Sequence, residues 1–371
     1  MNPQEICCPN EDCPARGQSG KGNINIHDRR KKRYRCKACE KAFSQTKGTP
    51  FYRLHHKGEL FTTVIKLLAK GCPRQAIVFA YGLDERTVAD WGMRAGIQCE
   101  KVQQHLVEQP RELGEVQCDE LRIKCRHQVV AWMAFAIQVS TRLWLGGAVD
   151  AQREVGLIKQ LLEGVKRCAL CRPMLFCVDG MRAYPHAIAD VFREADRGGG
   201  DGRPHLVPWP HLYIAQVIKE KVSARVVGIT RRIVQGTPDE VEAVRYKVAG
   251  GGLLNTAFIE RINATFRAHT GALVRRTRAL ALQTQTLHYA MYLSGAVYNF
   301  CTEHRSLRLP GLIGGHKYLN RTPAMAAGIA DHCWTVEELL SYRVPLPRWQ
   351  PPKKRGRPSR EMLALIARWA L

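Results

Sequence analysis

From residue 116 the chain changes texture, and the new pattern admits few folds. "EVQCDELRI" alternates polar and apolar residues, "QVVAWMAFAIQVS" is a continuous apolar run, and "RLWLGGAV" follows after a short turn. Period-two alternation and short apolar runs bounded by turn residues mark strands. A helix then fits 153–166, and "RPMLFCVDG" is a buried strand punctuated by Asp179-Gly180. "MRAYPHAIADVFREA" is helical, with Pro185 near its start. The polar break "DRGGGDGRPH" leads to a fifth strand in "ARVVGITRRIVQG", then to helices over 238–248 and 256–270. The order is β-β-β-α-β-α-β-α, with the segment 197–223 inserted. Such alternation specifies an α/β fold class with a mixed-sheet core, here assigned to residues 111–310 of a multidomain chain.

Two smaller regions precede that core. Residues 8–13 read "CPNEDC" and residues 36–39 read "CKAC". Between them lie Gly17, Gly20 and Gly22, then the alternating "NINIHDRRKKRYR", the pattern of a loop followed by a hairpin. A segment this short and basic cannot build its own core, whereas four thiolates close a tetrahedral structural Zn²⁺ site. Residues 1–52 are therefore expected to form a zinc ribbon, with Cys8, Cys13, Cys36 and Cys39 holding one Zn²⁺ and Cys7 competing for the place of Cys8. Over 53–110 a helix ends at Gly71, a short helix over 74–81 ends at Gly82, and a third, N-capped by Asp84, runs through Arg94. That is helix-turn-helix grammar, and it would offer Glu85, Arg86 and Thr87 to the major groove of DNA.

The charge agrees with such a partner. Lys and Arg total 57 against 33 Asp and Glu, a formal net charge of +24. An excess of this size is a statement about partners, and double-stranded DNA is the expected polyanion. No apolar run approaches the roughly 20 residues of a membrane span, and the polar, proline-broken "MNPQEICCPN" is no signal peptide. Fourteen cysteines without an export signal point to reduced thiols and a cytoplasmic location, with no membrane partner. Residues 311–371 read as a C-terminal extension. Within it "PPKKRGRPSR" resembles an AT-hook, whose arginines, here Arg355 and Arg357, enter a narrow minor groove.

One helix carries the sharper signal. In "LLNTAFIERINATF" (253–266), Phe258, Ile259, Ile262 and Phe266 gather into an apolar stripe at about 100° per residue. Glu260, Asn263 and Arg267 form a separate polar strip. The element order resembles the ribonuclease H-like fold of polynucleotidyl transferases, in which carboxylates converge from the first strand, the end of the fourth strand and a late helix. The matching residues are Asp119, Asp179 and Glu260. Asp119 is preferred over its neighbour Glu120, since alternation puts the two on opposite faces. The strip of the helix would then face the sheet edge bearing the aspartates. Carboxylates of this kind suit two Mg²⁺ or Mn²⁺ ions acting on a phosphodiester. Arg267 and Asn263 would contact DNA.

Beyond this core, "CPN…C…RYRCKACEKAFS…GTPFY" (8–52), "NTAFIERINATFR" (255–267), "YNFCTEHRSL" (298–307) and "RTPAMAAGIADHCWTVEELL" (321–340) resemble bacterial insertion-sequence transposases of the DDE class. The resemblance implies metal-dependent strand cleavage at transposon ends and strand transfer to target DNA, with Asp119, Asp179 and Glu260 as catalytic metal ligands. It also implies a nucleoid-associated bacterial protein, acting as a homo-oligomer on DNA. The alternatives are a non-catalytic DNA-binding regulator and a nuclease that cuts without joining.

Overall fold

The computed structural model describes residues 2–125, 130–196, 204–223, 225–249, 251–273, 283–313, 316–351, 356 and 358–369. The chain divides into two compact units, Met1–Gly58 with Leu340–Leu371, and Glu59–Leu339. The segment read from sequence as part of a separate C-terminal extension is thus grouped, from Leu340 onward, with the amino-terminal residues.

In the first unit β1 (Ile24–Asp28), β2 (Arg33–Cys36) and β3 (Ala42–Ser44) form an antiparallel sheet in sequence order. The sheet is too small to bury much by itself. Its apolar cluster, centred on Ile24, Tyr34, Cys36 and Phe43, is completed by Trp369 and Leu365 from the C-terminal helix Arg360–Trp369. Gln18 Nε2 donates to the Trp369 carbonyl at 2.5 Å. Gly17, at φ +69°, lets the chain turn where an added Cβ would lie 2.5 Å from the Leu346 carbonyl oxygen.

The second unit opens with α1 (Gly58–Ala69), α2 (Arg74–Tyr81) and α3 (Glu85–Val102). Gly71 has φ +80° in the first turn, and Gly82 caps α2 in the left-handed region. Asp84 Oδ1 accepts the Arg86 amide at 2.8 Å, satisfying one orphan donor at the start of α3. The third helix runs past Arg94 because its buried face continues through Cys99 and Val102. Phe61 meets Trp91 edge to face at 5.4 Å, fixing α1 against α3.

The alternating region contains β4 (Glu115–Lys124), β5 (Val130–Gln138), β6 (Trp144–Asp150), α4 (Val155–Cys168), β7 (Met174–Val178), α5 (Ala183–Val191), β8 (Arg193–Asp196), β9 (His205–Pro208), β10 (Leu212–Val222), β11 (Arg225–Gln235), α6 (Pro238–Ala249), α7 (Ala257–His269) and α8 (Thr284–Cys301). Six strands form one mixed sheet in the order β11-β10-β7-β4-β5-β6. β4, β5 and β6 are antiparallel neighbours, β7 lies parallel between β4 and β10, and β11 returns antiparallel along the edge. Helices α6 and α7 cover one face, where Cys177 and Ala215 meet Val241 and Val244, and the Phe135 and Phe266 rings pack at a tilt with centroids 4.4 Å apart. The other face carries α4 and α5, with Phe176 against Phe192 at 5.2 Å.

The sheet corrects one expectation. The strand beside β7 is β10, which falls inside the segment read as an insertion, and the stretch read as the fifth strand is the outer β11. Lys219, Glu220 and Lys221 disguise β10 in sequence. Only its first half, through Gln216, pairs with β7; the charged half runs on past the end of β7, with β11 alone at its side. Among the described residues no helix is long and apolar enough to cross a membrane.

Helices α3 and α8 approach closely at Gly96, where an added Cβ would lie 2.5 Å from both Cβ and the carbonyl oxygen of Tyr289. Ala is the better helix former by about 1 kcal/mol, but overpacking against backbone costs about 1–3 kcal/mol or more. Gly96→Ala should therefore lower the thermal midpoint by a net cost of about 1–2 kcal/mol. An unchanged or raised midpoint would mean that the two helices can part freely.

Candidate functional site

The first candidate is the cysteine cluster. Cys8, Cys13, Cys36 and Cys39 have their sulfurs within 4.8 Å of one another. Cys8 Sγ lies 3.6 Å from Cys39 Sγ, and Cys13 Sγ lies 3.7 Å from Cys36 Sγ. A tetrahedron with Zn–S bonds of about 2.3 Å has S···S edges of about 3.8 Å, so the four could hold one zinc ion. The backbone builds the pocket with tight turns: the Cys13 amide donates to Asn10 O, the Cys36 amide to Lys41 O, and Glu40 adopts φ +56°. Burial pushes the Cys8 and Cys13 thiols up, which leaves them protonated unless a cation offsets the cost. Cys7 lies outside the cluster.

The second candidate is acidic and sits at the sheet edge where β7 ends. In the parallel register Gln117 of β4 lies beside Cys177 of β7; past this last pair, Asp119 of β4 and Asp179, the residue after the end of β7, bring carboxylate oxygens within 4.8 Å. Asp179 Oδ1 accepts the Met181 amide at 2.9 Å, while Gln216 Nε2 holds the carbonyls of Asp179 and Met181 at 3.0 and 3.2 Å. Gln117 fixes α7 over this edge. Its Oε1 accepts the amides of Phe258 and Ile259, each at 3.1 Å, and its Nε2 donates to Asn255 O at 2.8 Å. With α7 so placed, Asn263 Nδ2 reaches Asp119 Oδ2 at 2.8 Å.

The aspartates do not stand alone. Carboxylate oxygens of Asp119, Glu120 and Asp179 lie within 4.8 Å of one another, a group that could bind a divalent metal. Glu120 belongs to it although alternation turns its side chain to the opposite face. Its Oε2 accepts Arg153 Nη2 at 2.8 Å and Nε at 3.3 Å, and Arg153 Nη2 also stands 3.7 Å from Asp179 Oδ2. Burial first, then the charges of Glu120, Asp179 and Glu260, push Asp119 up to about 6, against the pull of the Glu120 amide. Glu260 is outside the cluster. It forms an ion pair with Lys219 of β10 and accepts the Thr256 hydroxyl at 2.5 Å.

The remaining expected residues are dispersed. Arg86 is exposed and Thr87 half-buried at the start of α3, and Arg267 is half-buried near the end of α7. Arg355 and Arg357 lie outside the described residues. Sequence reasoning missed Gln117, Arg153 and Lys219; Gln117 shares its strand face with the polar Glu115 and Asp119, so nothing local singles it out. No family model matches the chain, and no curated protein matches it.

Two measurements bear on these centres. Cys13→Ser should reduce bound zinc from one equivalent to little or none by metal analysis and expose the amino-terminal residues to protease. Unchanged zinc content would remove the cluster as the ligand set. For the acidic group, a raised carboxyl favours the folded state below its ordinary pKa, and this contribution is lost as pH rises through about 6. A divalent ion reverses the balance, because it binds the ionised form. Millimolar Mn²⁺ should thus raise the melting temperature more at about pH 7.5 than at about pH 5, with no rise in Asp119→Asn. An equal rise at both pH values would place the ion elsewhere.

Proposed function

We propose that the chain is a DDE-class transposase that cleaves DNA at the ends of an insertion sequence and joins them to target DNA. In this reading the six-stranded unit is a ribonuclease H-like core, the cysteine unit is a zinc ribbon, and α1–α3 are a helix-turn-helix that reads the ends. The observation that carries it is the meeting of Asp119, on β4, with Asp179, just past the end of the parallel strand β7, under a helix whose Asn263 bonds Asp119 and whose Glu260 lies one turn earlier. Asp119, Asp179 and Glu260 would hold two Mg²⁺ or Mn²⁺ ions, which when bound activate the attacking oxygen and stabilise the leaving one. Asn263 keeps Asp119 oriented, and the pinned Asp179–Met181 turn keeps the second aspartate at the strand end. Arg86, Thr87, Arg267, Arg355 and Arg357 are assigned to DNA, and two ends held together require at least a dimer on DNA.

One observation favours a second reading, a DNA-binding regulator without chemistry: Lys219 already neutralises Glu260, which stands apart from the other acids. Strand cleavage and joining on duplexes carrying the element's ends, with Mg²⁺ or Mn²⁺, separates the two. Wild type should cut and join, while Glu260→Gln binds the ends and does neither. Equal activity in both would reduce Glu260 to a helix residue. A wild type that binds and never cuts would establish the regulator.

A further inference from the structure

Glu120 and Arg153 form a unit that the carboxylate triad does not require. The Glu120 side chain has no accessible surface, and its carboxylate is buried near the equally buried Tyr184 hydroxyl. A buried carboxylate needs a cation, and the one supplied is Arg153, whose Nε and Nη2 both converge on Oε2. Arg153 comes from the segment just before α4, crosses to β4, and lies over the Trp132 ring of β5 at 5.0 Å. Its head is therefore held on two sides, by a carboxylate and by an aromatic face. Yet its side chain is 38% exposed, and its Nη2 lies 3.7 Å from Asp179. The side chain thus stands partly exposed beside the acidic site.

We propose that Arg153 is a phosphate-binding residue of this site, gripping a non-bridging oxygen of the DNA backbone, and that Glu120 is its positioning residue rather than a metal ligand. The inference rests on the reading of the acidic edge as a site for phosphodiesters. Its chemistry is specific. A guanidinium has five N–H groups in a fixed fork, and Glu120 takes two of them, leaving three for an oxyanion. Hard divalent ions that share substrate phosphate need carboxylates open to water, as Asp119 and Asp179 are in part and Glu120 is not. A cation bound at the two aspartates would repel Arg153 from Asp179. The Glu120 bonds would keep it at the rim, beside the position of the incoming phosphate. The acidic edge otherwise repels a polyanion, so a fixed positive group there has an evident use.

The test uses the full chain and four variants, Asp119→Asn, Glu120→Gln, Arg153→Gln and the double Glu120→Gln/Arg153→Gln. Mn²⁺ affinity is read from free Mn²⁺ by electron paramagnetic resonance. Binding to a duplex carrying the element's ends is read with Ca²⁺ present, over a range of salt. Asp119→Asn should lose Mn²⁺ affinity by about tenfold or more, and Glu120→Gln should stay within about twofold of wild type. Arg153→Gln should lower the slope of log affinity against log salt by about one, the mark of one lost phosphate contact. Glu120→Gln should weaken DNA binding with the slope nearly kept, since the guanidinium remains but is no longer fixed. The double variant leaves no unpaired buried charge, so it remains folded where a single variant does not, and it should repeat the loss of slope. If Glu120→Gln loses Mn²⁺ as Asp119→Asn does, Glu120 is a ligand and the proposal fails. It fails equally if the slope is unchanged in both Arg153→Gln and the double variant. Binding that follows these expectations without any strand cleavage would overturn the transposase reading and leave this one standing.

Discussion

The side-chain amide of Gln117 ties the strand that carries the first aspartate to the helix that crosses it. A helix starts with backbone donors that have no partner inside it. Here two of these, from Phe258 and Ile259, are met by one oxygen, while the nitrogen of the same amide takes the carbonyl of Asn255. The rotation of α7 follows from this bond set together with the apolar stripe of Ile259, Ile262 and Phe266. Because Asn263 and Glu260 sit on that helix, their positions over the sheet edge follow as well. A buried amide is costly when unmet and directional when met, which is why one residue can set the register between a strand and a helix.

Charge is the second constraint. Asp119, Glu120 and Asp179 are brought together in a partly buried place, and Glu260 is near enough to raise the proton affinity of Asp119. Without an added ion the chain supplies its own counter-charges, Arg153 on one side and Lys219 on the other. These two differ in kind. Arg153 is clamped from two directions, whereas Lys219 stands on the part of β10 that has run past its parallel neighbour. One is held from the segment before α4, and the other from a stretch of β10 that pairs with β11 alone.

Much of this was legible in the sequence. The three strands before residue 150 and helices α4, α5, α6 and α7 follow from period alone. Asp179 was marked by its place before Gly180 at the end of an apolar run. The losses have physical reasons. β10 was hidden because half of it has one strand neighbour and so carries charges, which break the pattern of a core strand. α8 is buried around nearly its whole circumference, so it has no polar face to give a period. Glu120 was set aside because alternation turns it from Asp119. Carboxylate oxygens of Asp119, Glu120 and Asp179 nevertheless lie within 4.8 Å of one another, at a point on β4 beyond its last pair with β7. Arg153 is one of 57 basic residues, and nothing local distinguishes it.

The packing of the C-terminal helix on the cysteine unit has a consequence for how the chain is made. Gln18 and Trp369 are 351 residues apart, yet the side-chain amide of Gln18 donates to the Trp369 carbonyl inside the same small core. At roughly 5–20 residues per second, the ribosome delivers Trp369 some tens of seconds after the four cysteines. During that interval the sheet β1–β3 has its thiols but lacks its closing aromatic. An ion captured early would add to the few strand and turn hydrogen bonds that hold these first residues in shape while the rest of the protein is still being synthesised.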